Sequence, residues 1–247
     1  NYIGTDAAGT SALPNEYYGV YLNCCSGVTV GGSTDMQRNV ISGNRRDGIC
    51  IVNSVDNNVQ GNYIGTNSSG LGSLGNGWSG VELFLYADNN TIGGATAGER
   101  NVISGNSTGV TINTFCSGNQ VQGNYIGTDA AGISAVANLN GVYLTNNSNG
   151  NTIGGNYAGQ GNLISGNVYD GIVIYGCTGN NVRGNYIGTD AAGTIALPNG
   201  GNGVYLLNSA DNTIGGAAAG EGNLVSGNGG VLSTHAWLDS FPTTPTN

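Results

Sequence analysis

Four charged residues of this chain have the types that acid–base chemistry on a sugar requires. Arg45 and Arg46 directly precede Asp47, and Glu82 lies further along the chain. Hydrolysis of a glycosidic bond uses two carboxyl groups about 5–10 Å apart, one as the acid and the other as the nucleophile or base. Glu82 and Asp47 are therefore candidate catalytic residues, with Arg45 or Arg46 to stabilise negative charge. The competing interpretation is that both carboxylates are solvated surface residues in a repeat that has drifted.

The other reactive residue types form no recognisable site. His235, the sole histidine, lies near Trp237 close to the end of the chain, where a terminal cap explains it better than catalysis. The five cysteines include no CxxC pair, so we expect no metal site and interpret most of them as small buried side chains. An Asp or Asn begins each long loop and a Gly follows shortly after it, which is typical of a turn. Calcium binding there is a minor alternative, and no other cofactor is predicted.

Composition argues against several classes of function. The chain has five Arg and no Lys against fourteen carboxylates, for a net charge of -9 at pH 7. Nucleic-acid binding needs a basic surface that neutralises phosphates, so we expect no nucleic-acid partner. The sequence contains no run of about 18 apolar residues, so we expect no membrane span. No signal peptide is visible and residue 1 is Asn, so we expect a mature or trimmed form.

A long repeat must position the candidate residues. The phrase NYIGT occurs four times, and its threonines, Thr5, Thr66, Thr128 and Thr189, follow one another at an almost constant spacing. A regular period of this length is typical of a solenoid or a propeller. Each repeat divides into two halves, and each half contains three short apolar segments punctuated by Gly and Asn. This pattern favours short strands with Gly and Asn at the corners, and no segment has helical periodicity.

Alignment of the halves predicts which side chains face the interior. The first strand of each half carries two aliphatic residues that flank a third residue, so the aliphatic pair points inward and the middle residue outward. The third strand begins with an Asn in every half: Asn1, Asn39, Asn62, Asn101, Asn124, Asn162, Asn185 and Asn223. Stacked Asn amides can hydrogen-bond from one coil to the next, which satisfies polar groups in a buried corner.

With these Asn rows and its NTIGG and NVISGN phrases, the sequence resembles the right-handed parallel β-helix, the pectate-lyase-like fold. It is most similar to bacterial extracellular repeat proteins of that fold. The resemblance covers residues 1–230 and implies an all-β solenoid of about seven to eight coils, two per repeat, with residues 231–247 as a tail, cap or joint. Polysaccharide lyases of this fold use calcium-binding carboxylates with a Lys or Arg base, and this chain has no Lys.

The outward position of the first strands forms the face on which chemistry is expected. Its residues are, in order, Tyr21, Cys50, Glu82, Thr111, Tyr143, Val173 and Tyr205. Glu82 occupies a position that tyrosine holds in the other long coils, and we interpret Tyr21, Tyr143 and Tyr205 as candidate binding residues. Asp47 lies just before the neighbouring first strand. Because adjacent strands lie about 4.8 Å apart, the fold predicts that Glu82 and Asp47 face one groove.

Three functions agree with this fold, which hosts unrelated activities. The first is a non-catalytic extracellular or cell-surface protein, a filament subunit or adhesin, that stacks head to tail. Its predicted interface residues are Asn1, Tyr2, Ile3, Val231, Trp237 and Phe241. The second is a carbohydrate-active enzyme, a lyase or hydrolase, or a carbohydrate-binding module. The third and weakest is ice binding, because the outward Thr row of the second strands is interrupted in alternate coils.

Overall fold

The structure, a computed structural model, describes the backbone of residues 1–234 and the side chains of residues 1–229. Within this range the chain forms short β-strands, β1 to β23, and one turn of 3-10 helix at Asp35–Gln37. Each coil contributes one strand to each of three parallel sheets. The predicted all-β parallel β-solenoid is therefore confirmed. None of the helical structure in the described part of the chain has the length and hydropathy that a membrane crossing requires.

The three sheets are named after the order of their strands within a coil. The first-strand sheet contains β2 (Val20–Asn23), β5 (Ile49–Val52), β8 (Ser79–Phe84), β11 (Thr108–Asn113), β14 (Asn140–Thr145), β17 (Ile172–Tyr175), β20 (Asn202–Leu207) and β23 (Gly230–Thr234). The second-strand sheet contains β3 (Thr29–Gly31), β6 (Asn58–Gln60), β9 (Thr91–Gly93), β12 (Gln120–Gln122), β15 (Thr152–Gly154), β18 (Asn181–Arg183) and β21 (Thr213–Ile214). The third-strand sheet contains β1 (Tyr2–Ile3), β4 (Val40–Ile41), β7 (Tyr63–Ile64), β10 (Val102–Ile103), β13 (Tyr125–Ile126), β16 (Leu163–Ile164), β19 (Tyr186–Ile187) and β22 (Leu224–Val225).

Strand register follows the alignment of the half-repeats. Val20 pairs with Ile49, its equivalent in the next half-repeat, and Ile49 pairs in turn with Val81, its equivalent in the half-repeat after that. One full repeat therefore makes two coils. Because each pair joins equivalent positions, the aliphatic residues of successive coils stack in columns inside the solenoid. The column on the third strands, which includes Ile64, Ile103 and Ile126, is fully buried in the interior coils.

Asn ladders satisfy the polar groups at the corners of the coils. In the predicted ladder at the start of the third strands, each side-chain amide donates to the Asn of the next coil, as Asn62 does to Asn101 at 3.1 Å. A second ladder precedes the second strands, where Asn90 donates to Asn119 at 3.1 Å. A third ladder, which the alignment did not predict, precedes the first strands: Asn15, Asn44, Asn76, Asn106, Asn138, Asn167, Asn199 and Asn228.

Four of the six predicted interface residues lie within the described part of the chain, at its two ends. Asn1 precedes β1, and its side-chain amide donates to Asn39 Oδ1 at 2.7 Å. Tyr2 and Ile3 form β1, which pairs with β4. The backbone of Val231 lies in β23, which pairs with β20. The positions of Trp237 and Phe241 lie outside the described residues, and head-to-tail stacking stays a prediction.

Candidate active site on the first-strand sheet

A groove of about 390 Å³ lies on the outward face of the first-strand sheet. Its floor follows the predicted outward row, because Tyr21 pairs with Cys50 and Cys50 with Glu82. The complete lining consists of Tyr18, Tyr21, Arg46, Cys50, Val52, Trp78, Glu82, Phe84 and Asn113. Aromatic rings, one guanidinium and one carboxylate therefore share a single surface.

Asp47 lies beneath this groove, next to Glu82. One ligand atom each from Asp47, Cys50 and Glu82 lies within 4.8 Å of the other two. Asp47 is fully buried, and its Oδ1 accepts a hydrogen bond from the backbone N–H of Ser79 at 2.7 Å. Asp47 Oδ2 is enclosed as well and has no N–H or hydroxyl donor among the described residues, and the Asp47 side chain lies within hydrogen-bonding reach of the Glu82 carboxyl. The predicted proximity of the two carboxylates is present, and the interpretation of Asp47 as a solvated surface residue is wrong.

Burial controls the electrostatics of this cluster. Desolvation raises the pKa of Asp47, and the negative charge of Glu82 raises it further. Desolvation also raises the pKa of Glu82, although the side-chain amide of Asn113 donates to its Oε1 at 3.3 Å. The pKa of the Cys50 thiol is raised by burial and by the two neighbouring carboxylates. All three groups are therefore acids whose charged forms lack a compensating cation at close range among the described residues.

The carboxylates do not flank the groove as a hydrolytic pair would. Glu82 is half-buried and lines the groove, whereas Asp47 is fully buried and does not. Acid and base roles on opposite sides of a glycosidic bond require that both carboxyl groups reach the sugar. The expectation that both face the groove is therefore corrected. Glu82 lines the groove, and Asp47 is buried beside Glu82 without lining it.

The structure also separates the two arginines. Arg45 is not among the residues that line the groove and forms an exposed ion pair with Glu16 at 3.1 Å. Arg46 lines the groove, where its guanidinium lies 4.8 Å from the Tyr17 ring centre and 4.7 Å from the Trp78 ring centre. Of the two arginines that the sequence left as alternatives, Arg46 lines the groove and can meet a ligand there, whereas Arg45, the candidate catalytic arginine, does not line it.

Comparison with an equivalent coil two repeats later shows which part of the site is special. Asp170 occupies the position of Asp47, and it accepts a hydrogen bond from the backbone N–H of Asn202 at 2.6 Å. In both places, an aspartate before one first strand accepts a hydrogen bond from the first backbone N–H of the first strand in the next coil. Around Asp170, the outward positions hold Val173 and Tyr205 rather than a cysteine and a carboxylate. The cluster of three acidic groups is thus a local departure from the repeat.

A second aromatic cleft lies further along the same sheet and contains two of the candidate binding residues. Its volume is about 290 Å³, and Tyr143, Tyr169, Tyr175 and Tyr205 line it together with Asp170. The third candidate, Tyr21, lies in the groove and stacks on Tyr18 with ring centres 5.0 Å apart. The structure therefore places the three tyrosines on one face but in two separate depressions.

Sequence reasoning misses three residues that shape the groove. Tyr18 and Trp78 lie in loops, outside the strand rows that the repeat defines. Cys50 belongs to the outward row beside Glu82, yet its residue type alone suggests only a small buried side chain. The signal that could reveal its role is that Cys50 and Glu82 occupy adjacent positions of this row, while Asp47 directly precedes the strand that carries Cys50.

Comparisons with known proteins identify the fold and no family. No family model matches the sequence, and no curated protein matches it. Among solved structures, the chain is similar to a double mutant of the periplasmic alginate epimerase AlgG, with a TM-score of 0.60 and 19% sequence identity. The match covers 89% of this chain and 45% of that protein. This chain therefore spans less than half the length of that protein, and the likeness shows a shared β-helix architecture.

Proposed function

We propose that this protein is carbohydrate-active and takes a polysaccharide along the outward face of its first-strand sheet. The observation that carries the proposal is the composition of the groove, where stacked aromatic rings, Arg46 and Glu82 share one surface. Flat aromatic rings offer apolar area to the faces of sugar rings, and carboxylates and guanidinium groups hydrogen-bond to sugar hydroxyls. Grooves that combine apolar lining with a few polar groups are typical ligand sites.

The distance between the two depressions suits an extended polymer. Glu82 and Tyr143 lie two coils apart along the outward row, and Tyr205 lies two coils beyond Tyr143. At about 4.8 Å per coil, Tyr143 lies roughly 10 Å and Tyr205 roughly 19 Å from Glu82 along the solenoid axis. A polysaccharide that follows this axis would therefore contact the groove and the second cleft at the same time.

Charge favours neutral polysaccharides over polyuronates. Among the described residues that line the groove, Arg46 is the only cation, and two aromatic rings already contact it. The net charge of the chain is -9, so its general field repels polyanions. The alginate activity in the name of the similar structure belongs to that protein, and a neutral glycan is the substrate class that we propose here.

Binding is tested by affinity electrophoresis in gels that contain neutral glucans, mannans or xylans, with alginate and pectate as anionic comparisons. We expect retardation by a neutral polymer and a loss of at least about tenfold in affinity for Trp78→Ala, because Trp78 is an aromatic wall of the groove. Tyr157→Ala is the matched control, since Tyr157 is exposed but lies outside the groove. Equal affinity loss in both variants, or no retardation by any polymer, would contradict the proposal.

Chemistry is tested separately from binding. Glu82 is the carboxylate on the groove wall, so Glu82→Gln should abolish product formation from the bound polysaccharide while retardation in the gel persists. Glu16→Gln removes an exposed carboxylate outside the groove and should leave the rate unchanged. A fully active Glu82→Gln variant would show that Glu82 is not the catalytic carboxylate, and retardation without product in the unmodified protein would show that the groove binds without acting on its ligand. Binding that disappears together with activity would place Glu82 in recognition instead.

Two further predictions stand beside this proposal. The filament or adhesin function depends on contacts between copies of the chain, and negative-stain microscopy of the purified protein tests it directly. Secretion to the cell surface is tested by fractionation of the source cells. Single, unassociated particles at high protein concentration would count against the filament, and a signal confined to the cytoplasmic fraction would count against the location.

A further inference from the structure

Three side chains of metal-binding type converge below the groove. Asp47 comes from the segment before β5, Cys50 from β5 and Glu82 from the neighbouring strand β8. One ligand atom from each lies within 4.8 Å of the others, and Cys50 and Glu82 also line the groove. We propose that Asp47, Cys50 and Glu82 bind one divalent cation of the zinc class, with a coordination position left open toward the groove.

The free oxygen of Asp47 is an independent sign of a missing partner. Asp47 is fully buried, its Oδ1 accepts from the backbone N–H of Ser79, and its Oδ2 has no N–H or hydroxyl donor among the described residues. Its side chain lies within hydrogen-bonding reach of the Glu82 carboxyl, so the two groups share either a proton or a cation. Buried polar atoms almost always have a partner, and a buried carboxylate needs a counter-charge. A cation bound between Asp47 and Glu82 supplies both, whereas no described Arg forms an ion pair with either carboxylate.

The spacing requires only a small contraction. Bonds of about 2.0 Å to oxygen and 2.3 Å to sulfur at tetrahedral angles place ligand atoms roughly 3.5 Å apart. Starting from separations of 4.8 Å or less, small rotations of the side chains close the site. Outer contacts are already in place, because Ser79 orients Asp47 and Asn113 donates to Glu82 Oε1 at 3.3 Å. Such outer partners hold first-coordination ligands in position.

The donor set selects the kind of ion. Calcium takes six to eight oxygen ligands and does not favour sulfur, so it does not fit a site with one thiol and two carboxylates. Zinc accepts thiolate and carboxylate ligands, and three protein ligands with one open position are typical of its catalytic sites. The expectation of no metal site depended on the absence of a CxxC pair, but here the ligands come from two adjacent coils.

Metal binding does not depend on the glycan, so it can be tested without one. The consequence for catalysis does rest on the proposed function: the open position faces the groove, where water or a sugar oxygen can complete the coordination. A metal site that binds its ion in a protein without polysaccharide affinity would leave this inference intact while overturning the proposed function. Polysaccharide affinity in a protein that binds no metal ion would leave the proposed function intact and overturn this inference.

The experiment is a titration of the full chain, purified under reducing conditions and treated with chelator, with Co²⁺ as a spectroscopic substitute for Zn²⁺. We expect one equivalent of Co²⁺ per chain and a near-ultraviolet charge-transfer band from thiolate to Co²⁺. The band should disappear in Cys50→Ser, and Zn²⁺ should displace the Co²⁺ competitively. Glu82→Gln should weaken binding by at least about tenfold, because losing even an outer partner costs roughly 10–100-fold.

Controls separate this site from other thiols. Cys24 is exposed and Cys25 half-buried, so both are replaced by serine in a parallel titration that should give the same band. Circular dichroism checks that each variant is folded, and Glu82→Gln supplies a second variant should Cys50→Ser unfold. No uptake at millimolar Co²⁺, a band that survives in Cys50→Ser, or a band that depends on Cys24 and Cys25 would overturn the inference.

Discussion

Replacing Asn124 by alanine should remove a large share of the stability of the solenoid. Its side-chain amide donates to the carbonyl of Ile92 at 2.8 Å and to Asn162 Oδ1 at 3.1 Å. Its Oδ1 accepts from the side-chain amide of Asn101 at 2.9 Å and from the backbone N–H of the same residue at 3.3 Å. Asn124 is fully buried, so no water replaces these bonds. Each buried group left unsatisfied costs about 1–3 kcal/mol, which gives an expected loss of roughly 3–6 kcal/mol.

The same position offers an isosteric comparison. In Asn124→Asp a carboxylate oxygen replaces the NH₂ group and faces the carbonyl oxygens of Ile92 and Gln122, so the loss should exceed that of alanine. The control is Gln122→Ala, because this side chain points outward in the same coil and should change stability by less than about 0.5 kcal/mol. Unfolding in guanidinium chloride, monitored by circular dichroism, measures the free energy of unfolding of all three variants. A loss below about 1 kcal/mol in Asn124→Ala, or an Asp variant as stable as the parent, would refute the reasoning.

Three further predictions concern the core, the thiols and the loops. Ile126→Ala removes a fully buried side chain in an interior coil and should cost about 2–5 kcal/mol, more than Ile3→Ala, because Ile3 is half-buried in β1 at the end of the solenoid. Equal shifts in the unfolding midpoint would contradict this prediction. Burial raises the pKa of the Cys116 thiol to about 11, so alkylation of the native protein read by mass spectrometry should label exposed Cys24 and spare Cys116. Backbone N–H groups of Ile195 and Thr194, in its own loop, lower the pKa of Asp190. The contribution of the Asp190 carboxylate to folding stability is therefore present above the unfolded pKa and is lost as the pH falls through the folded pKa. NMR titration should show this lowered pKa, and an ordinary value would contradict the prediction.

The fold was predictable because the sequence states it many times. The aliphatic columns and the Asn at the start of each third strand recur in every coil, so a local irregularity at one position does not obscure the register. The pairing of Val20, Ile49 and Val81 follows that alignment directly. The same register placed Glu82 and Cys50 side by side and put the candidate tyrosines on one face. The Asn ladder that begins at Asn15 was missed, because its members lie outside the strands and alternate between the end of a third strand and the end of a long loop.

The chemistry of the groove was decided by the tertiary structure. Arg45 and Arg46 are adjacent and identical in type, and only the packing of Tyr17 and Trp78 selects Arg46 for the groove. The burial of Asp47 depends on what the neighbouring coil places above it. The repeat period fixes the backbone position of each residue along the solenoid, because backbone hydrogen bonds impose it coil after coil. The direction and environment of a loop side chain depend on contacts that occur once, so no periodic pattern in the sequence contains them.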